Sequence, residues 1–280
     1  MKGYPAYVKQ WRILMSGKQT LNDLVDALAS GAIEIIDLSG PLGPKTPLIK
    51  IPPEYGPDTP PVEIHSISSY EHQPGVFWSW NWLKLGEHSG THFDAPAHWI
   101  TGKDYPDATT DKIPVKSFLA PACVIDCSAE TAKDPDFLLT VDHVIDWEKI
   151  HGSIPAGCWV LMRTDWCERN GDEALFLNAD DKGPHSPGPT PETVEYLLSK
   201  EIIGWGSETV GTDAGQALFM DPPFPAHTRM LGENRYGLAS LCNLKRLPPT
   251  GALLFAAPLK IVKGTGSPLR VLALVAKLKG

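Results

Sequence analysis

Apolar residues recur along the chain with two periods, and each period marks a kind of element. Between Thr20 and Ala29 the positions Leu21, Leu24, Val25 and Leu28 fall at i, i+3, i+4 and i+7, which predicts a helix that Thr20 caps and Gly31 closes. Short runs rich in β-branched and aliphatic residues predict strands at 32–39 (AIEIIDLS), 62–70 (VEIHSISSY), 122–128 (ACVIDCS), 158–164 (CWVLMRT), 202–206 (IIGWG), 251–259 (GALLFAAPL) and 269–276 (LRVLALVA). Two further helices lie among them. Thr140 opens VDHVIDWEKI, and Thr190 with Pro191 sets a cap and an N1 proline ahead of ETVEYLLSK. Many strands with few helices predict an α/β or α+β fold with a mixed, barrel-like sheet core and peripheral helices, although periodicity leaves the strand order open. The Pro- and Gly-rich segment 40–61 predicts an irregular loop, a candidate pocket wall.

Composition narrows the class. The chain has 280 residues, 42% hydrophobic and 21% charged, enough to bury one large core, and no polar linker divides it. We therefore expect one domain over 1–280, with residues 1–31 forming an N-terminal arm and helix. A formal net charge of -8 argues against nucleic acid and anionic membranes as partners, leaving a small molecule. No run of eighteen apolar residues exists to span a bilayer, and MKGYPAYVKQWRILMSG lacks the apolar stretch of a secretory signal. The five cysteines are odd in number and scattered without a CxxC pair, which suits a reducing, cytoplasmic setting.

The densest chemistry lies in EHSGTHFDAPAHW, residues 87–99, where His88, His92, Asp94 and His98 fall close together. Gly90 and Pro96 disfavour a helix, which would in any case turn Asp94 away from the two histidines. All four positions are even, so an extended chain would turn them to one side, with Pro96 bending the strand and bringing His98 back from a turn. Two imidazoles and a carboxylate are ligands for a divalent transition metal and leave coordination positions open for water and substrate. That arrangement suits catalysis by activated water, with His98 placed to carry a proton.

HSGTHFDAPAH resembles the HxGTHxDxPxH signature of the cyclase-like metal-dependent hydrolases, a family that includes bacterial kynurenine formamidases and isatin hydrolases. The likeness extends to DYPD, RTDW (163–166), GTDAGQ (211–216) and the segment 222–248. It implies a swivelling β/β/α fold, a homodimer, His88, His92 and Asp94 as metal ligands, and His98 beside the bound water. In the formamidases a second metal is held by the last motif histidine, a later histidine matching His227, and a glutamate whose position here is Ala239. Alanine binds no metal, and Glu233 is expected in a turn, so the resemblance implies one metal per chain and frees His98 and His227 for proton transfer or substrate contact. One metal, the Ala239-Ser240 pair and the long GPHSPGPTP loop (183–191) resemble the isatin hydrolases, which implies Mn²⁺, with Zn²⁺ the alternative, and hydrolysis of an aromatic amide, the lactam of isatin, to isatinate. The runner-up is an arylformamidase acting on N-formylkynurenine. A reading from another class is a non-catalytic metal- or small-molecule-binding protein.

Further candidates depend on geometry. If one unbroken strand ran from Phe77 to His92, then Trp78, Trp80 and Trp82 would share the ligands' parity, and one or two of Phe77, Trp78, Trp80 and Trp82 would touch a flat substrate. A β-bulge near Gly86 would reset that parity, leaving these rings as ordinary core. His227 follows the Pro-rich DPPFPA, which suits a rigid loop facing the pocket, and Ser240 is a candidate donor to a carboxylate product or a water. Asp165 and Asp213 follow predicted strands, where loops carry function but an Asp equally caps a turn. GTGSP (264–268) is too short for a phosphate-binding loop.

Overall fold

Alternating side chains along the central strands separate two cores. A computed structural model describes residues 17–51, 56–72 and 74–277; the proposed N-terminal arm before Gly17 and part of the 40–61 loop lie outside the described residues. The predicted helix forms over Gly17–Ala29 (α1), one turn ahead of Thr20, and ends where Gly31 adopts a φ of 71°. The strands are Ile33–Asp37 (β1), Glu63–Ser68 (β2), Trp80–Lys84 (β3), His92–Asp94 (β4), Leu119–Asp126 (β5) and Trp159–Arg163 (β6). They continue with Gly204–Ser207 (β7), Tyr236–Ala239 (β8), Ala252–Phe255 (β9), Gly266–Pro268 (β10) and Leu272–Ala276 (β11).

Nine of these strands form one curled sheet in the order β1-β11-β9-β5-β6-β7-β8-β4-β10. The centre from β5 to β8 is parallel, and both flanks are antiparallel. This is the mixed sheet with outer helices that the pattern predicts. Ala122, Val124, Trp159 and Leu161 point into the core enclosed by the curl, beside Phe93, Tyr236 and Leu254. Their neighbours Cys123, Ile125, Val160 and Met162 point the other way, against Val144 and Trp147 of the helix Val141–His151 (α2) and Val194 and Leu197 of Pro191–Ser199 (α3). Both helices start at their expected caps: the Thr190 hydroxyl accepts from the Thr193 amide at 3.2 Å, and the Thr140 amide donates to His143 Nδ1 at 3.2 Å.

The unbroken strand from Phe77 to His92 does not form. β3 pairs only with β2, in a two-stranded hairpin outside the main sheet, and ends at Lys84. The chain then bends, and Gly90 turns it through a left-handed conformation, φ 61°, which an extended run of L-residues cannot hold. The parity that linked the tryptophans to the ligands is lost there.

Phe93 anchors the three-residue strand between its two polar neighbours. It is fully buried, with ring centroids 5.2 Å from Tyr236 and 6.3 Å from both Phe118 and Trp159. Phe93→Ala is expected to destabilise the fold by about 3–5 kcal/mol in urea titration. A loss under about 1 kcal/mol would mean that the ring does not hold β4 in place.

Candidate metal centre

β4 lies between β8 and β10, so each of its residues has a partner on both sides. His92 faces Ala239 and Pro268, while Asp94 faces Gly237 and Gly266. With Phe93 turned into the core, His92 and Asp94 emerge together on the opposite face. The Gly90 turn places its carbonyl 2.8 Å from His92 Nδ1, which must donate to it, and this directs Nε2 to within 3.4 Å of Asp94 Oδ1. His88 arrives from the bend before β4, with Nδ1 2.8 Å from the same carboxylate oxygen. Thus only His92 and Asp94 owe their convergence to strand parity; the turn supplies His88.

Ligand atoms of His88, His92 and Asp94 all lie within 4.8 Å of one another. Asp94 is 1% exposed, and its Oδ2 is buried without a hydrogen-bond partner. Burial would raise the Asp94 pKa, but the imidazoles of His92 and His88 beside it outweigh this and hold the carboxyl well below its ordinary value. An ionised, buried carboxylate with an unsatisfied oxygen beside two imidazoles has the charge and donor set that a divalent cation requires.

His98 closes the other side. Pro96–His98 forms a 3₁₀ turn that ends the extended run, and the His98 amide donates to Ala95 O at 2.9 Å. Its ring stacks on His88 with centroids 3.8 Å apart. Burial pushes its pKa down to about 3; Asp94 opposes this, while His88 and His227 add to it, so the imidazole is neutral at neutral pH. His227 sits in a one-turn π-helix, Ala226–Met230, and presents Nε2 3.9 Å from Asp94 Oδ2. Its Nδ1 bonds Asp213 Oδ2 at 2.5 Å, and the two oxygens of that carboxylate also accept the amides of Ala226 and His227. Burial disfavours the charged imidazole, but the Asp213 bond and the charges of Asp213 and Asp94 outweigh it and raise the His227 pKa.

The remaining sequence candidates take several positions. Ser240 follows β8 in a left-handed conformation, φ 52°, with its hydroxyl turned to Thr209 O at 3.4 Å. Ala239 is buried opposite His92, and Glu233 is exposed at the end of a 3₁₀ turn. Phe77, Trp78, Trp80 and Trp82 are 89%, 58%, 56% and 48% exposed on the hairpin, outside the sheet that carries His92 and Asp94. The core reading fails for them as well; Trp82 stacks on His65 at 4.1 Å. The 40–61 loop does line a cavity of about 630 Å³, with Leu83, Thr91 and Arg270, but no residue of the ligand cluster borders it. Asp165 pairs with Arg163 at 2.9 Å, as a turn residue would.

Sequence reasoning missed Trp99. Its ring lies 4.8 Å from His227 and 5.9 Å from His98, and its Nε1 donates to Thr228 Oγ1 at 3.1 Å. The available signal was its place directly after the last motif histidine. The sequence leaves Asp213 open between a functional loop residue and a cap, because nothing local connects it to His227.

Comparison with known proteins places this geometry. The cyclase family matches residues 36–214. The isatin hydrolase of Roseibium aggregatum is 61% identical over 263 residues, covering 94% of this chain and all of that protein. The kynurenine formamidase of Salinibacter ruber is 31% identical over 190 residues, covering 67% of this chain and 76% of that protein. A crystal structure of an isatin hydrolase bound to the product analogue thioisatinate superposes with a TM-score of 0.92 at 61% identity, covering 94% of this chain and 100% of that one. With its motif folded into a His-His-Asp cluster and a family match over more than half its length, the chain belongs to the cyclase family, in which the isatin hydrolase and the kynurenine formamidase are its relatives.

Proposed function

We propose that this protein is a metal-dependent amidohydrolase that opens the lactam ring of isatin to isatinate. The observation that carries the reading is the convergence of His88, His92 and Asp94 beside a neutral His98, in a chain 61% identical to an isatin hydrolase. A divalent ion held by these three residues would supply Lewis acidity, polarising the lactam carbonyl and acidifying a water. Every other step falls to the chain. His98, neutral at the start, accepts a proton as the water oxygen bonds to the carbonyl carbon. It returns that proton to the lactam nitrogen as the C–N bond breaks, leaving an aryl amine and an α-keto carboxylic acid that gives its remaining proton to solvent to become the carboxylate. His227, held by Asp213 and raised in pKa, offers a charge-assisted hydrogen bond to the new carboxylate.

We take Mn²⁺ as the ion, as in the isatin hydrolases the sequence resembles, although Zn²⁺ stands higher in the affinity series and competes in vitro. The cytoplasmic assignment rests on five free thiols. A homodimer accounts for the exposed aromatic hairpin, since a run of apolar side chains clustered on one hairpin is uncommon on a monomer's surface. Any aromatic contact to substrate from that hairpin would then come across the dimer.

The deciding experiment is hydrolysis of isatin and of N-formylkynurenine by metal-stripped protein while Mn²⁺ is titrated back. Isatin turnover that saturates at one metal per chain is expected. Preferential formamide turnover needing two metals would make this a formamidase instead.

A further inference from the structure

The segment GTGSP, which has no role in the proposed reaction, lies directly against the metal centre. β10 begins at Gly266, pairs with Asp94 across β4, and is tied again by the Ala95 amide donating to Thr265 O at 2.9 Å. A Cβ on Gly266 would lie 2.4 Å from His88 Cε1 and 2.6 Å from Phe93 O, so the imidazole rests on bare backbone there. Beside it, Thr265 Oγ1 lies 3.1 Å from His88 Nε2. The same hydroxyl donates to Glu87 Oε2 at 2.7 Å, and the Thr265 amide donates to that oxygen at 3.0 Å.

We infer that Thr265 and Glu87 are positioning residues that set the tautomer and orientation of His88 for metal binding. Because the Thr265 hydroxyl hydrogen is committed to the Glu87 carboxylate, its oxygen is left to accept, and His88 must carry its proton on Nε2. The Nδ1 lone pair then faces Asp94 Oδ1 at 2.8 Å. Two lone pairs that close repel unless a cation lies between them. The relay from Glu87 through Thr265 to His88 therefore prepares a cation site at Nδ1. His92 is prepared in the same sense, since its Nδ1 proton is given to Gly90 O and its Nε2 is freed. Such outer partners of a ligating histidine typically change metal affinity by about 10- to 100-fold when removed.

This inference rests on the metal-centre reading above, and the test separates the two. Mn²⁺ binding to metal-stripped protein is measured by isothermal titration calorimetry for wild type, Thr265→Val, Thr265→Ser and Glu87→Gln. Valine keeps the shape of threonine and loses the hydroxyl; serine keeps the hydroxyl and loses the methyl. We expect Thr265→Val to weaken binding about 10- to 100-fold. Thr265→Ser should stay within about twofold of wild type, with Glu87→Gln weakened in the same direction as valine. Wild-type affinity in Thr265→Val, or equal weakening in serine and valine, overturns the relay and leaves Thr265 a packing residue. Unchanged binding in Glu87→Gln removes the carboxylate from the relay. Failure of wild type itself to bind Mn²⁺ or Zn²⁺ would overturn the metal reading on which the relay depends.

Discussion

Removing the metal by chelation, or replacing Asp94 with alanine, is expected to lower isatin hydrolysis by at least ~10³-fold, because the attacking water is then no longer acidified by a cation. The effect should be the largest of any change in the site. Asp94 Oδ1 is the oxygen that both His88 Nδ1 and His92 Nε2 face, so without it two imidazoles remain with no anion to balance a divalent charge. Metal analysis of Asp94→Ala should find less than one equivalent bound, and added Mn²⁺ should restore the chelated wild type but not the variant. Full turnover by Asp94→Ala with stoichiometric metal would show that the ion, if catalytic, is held elsewhere.

His98→Ala is expected to keep its metal while losing turnover by about 10²- to 10⁴-fold, the range for a missing acid/base. The geometry separates His98 from the ligands: it stacks flat on His88 instead of pointing a nitrogen at Asp94 Oδ1, and it comes from the turn after Pro96. Its environment keeps the ring unprotonated, although the same shift weakens it as a base. Burial and the neighbouring histidines depress its pKa to about 3, so a free lone pair is present throughout the neutral range. Metal content measured beside kcat decides the matter: unchanged content with a slow chemical step supports proton transfer, whereas lost metal would make His98 a ligand.

Much of this site could be read from residues close together in the chain. His88, Gly90, His92, Asp94 and His98 occupy eleven consecutive positions, and their types and spacing name the chemistry before any fold is known. The helices beginning after Thr140 and Thr190 and most strands of the sheet were equally legible, because caps and side-chain alternation act within a few residues. The tryptophan strand failed for the converse reason. Its parity argument held only if nothing interrupted the extended chain, and the Gly90 turn with the separate β2–β3 hairpin interrupted it.

The sequence by itself thus determined a His-His-Asp cluster able to hold a cation, the cyclase motif and the mixed α/β class, since each depends on local spacing or local hydrophobic period. Only the tertiary structure decided that Thr265, 177 residues beyond His88, lies beside its imidazole, that Asp213 bonds His227, and that the tryptophans stand exposed on a separate hairpin. Those contacts depend on which strands and loops become neighbours. Neighbours in this sheet are set by packing across two cores, a property of the whole chain that no short window of residues contains.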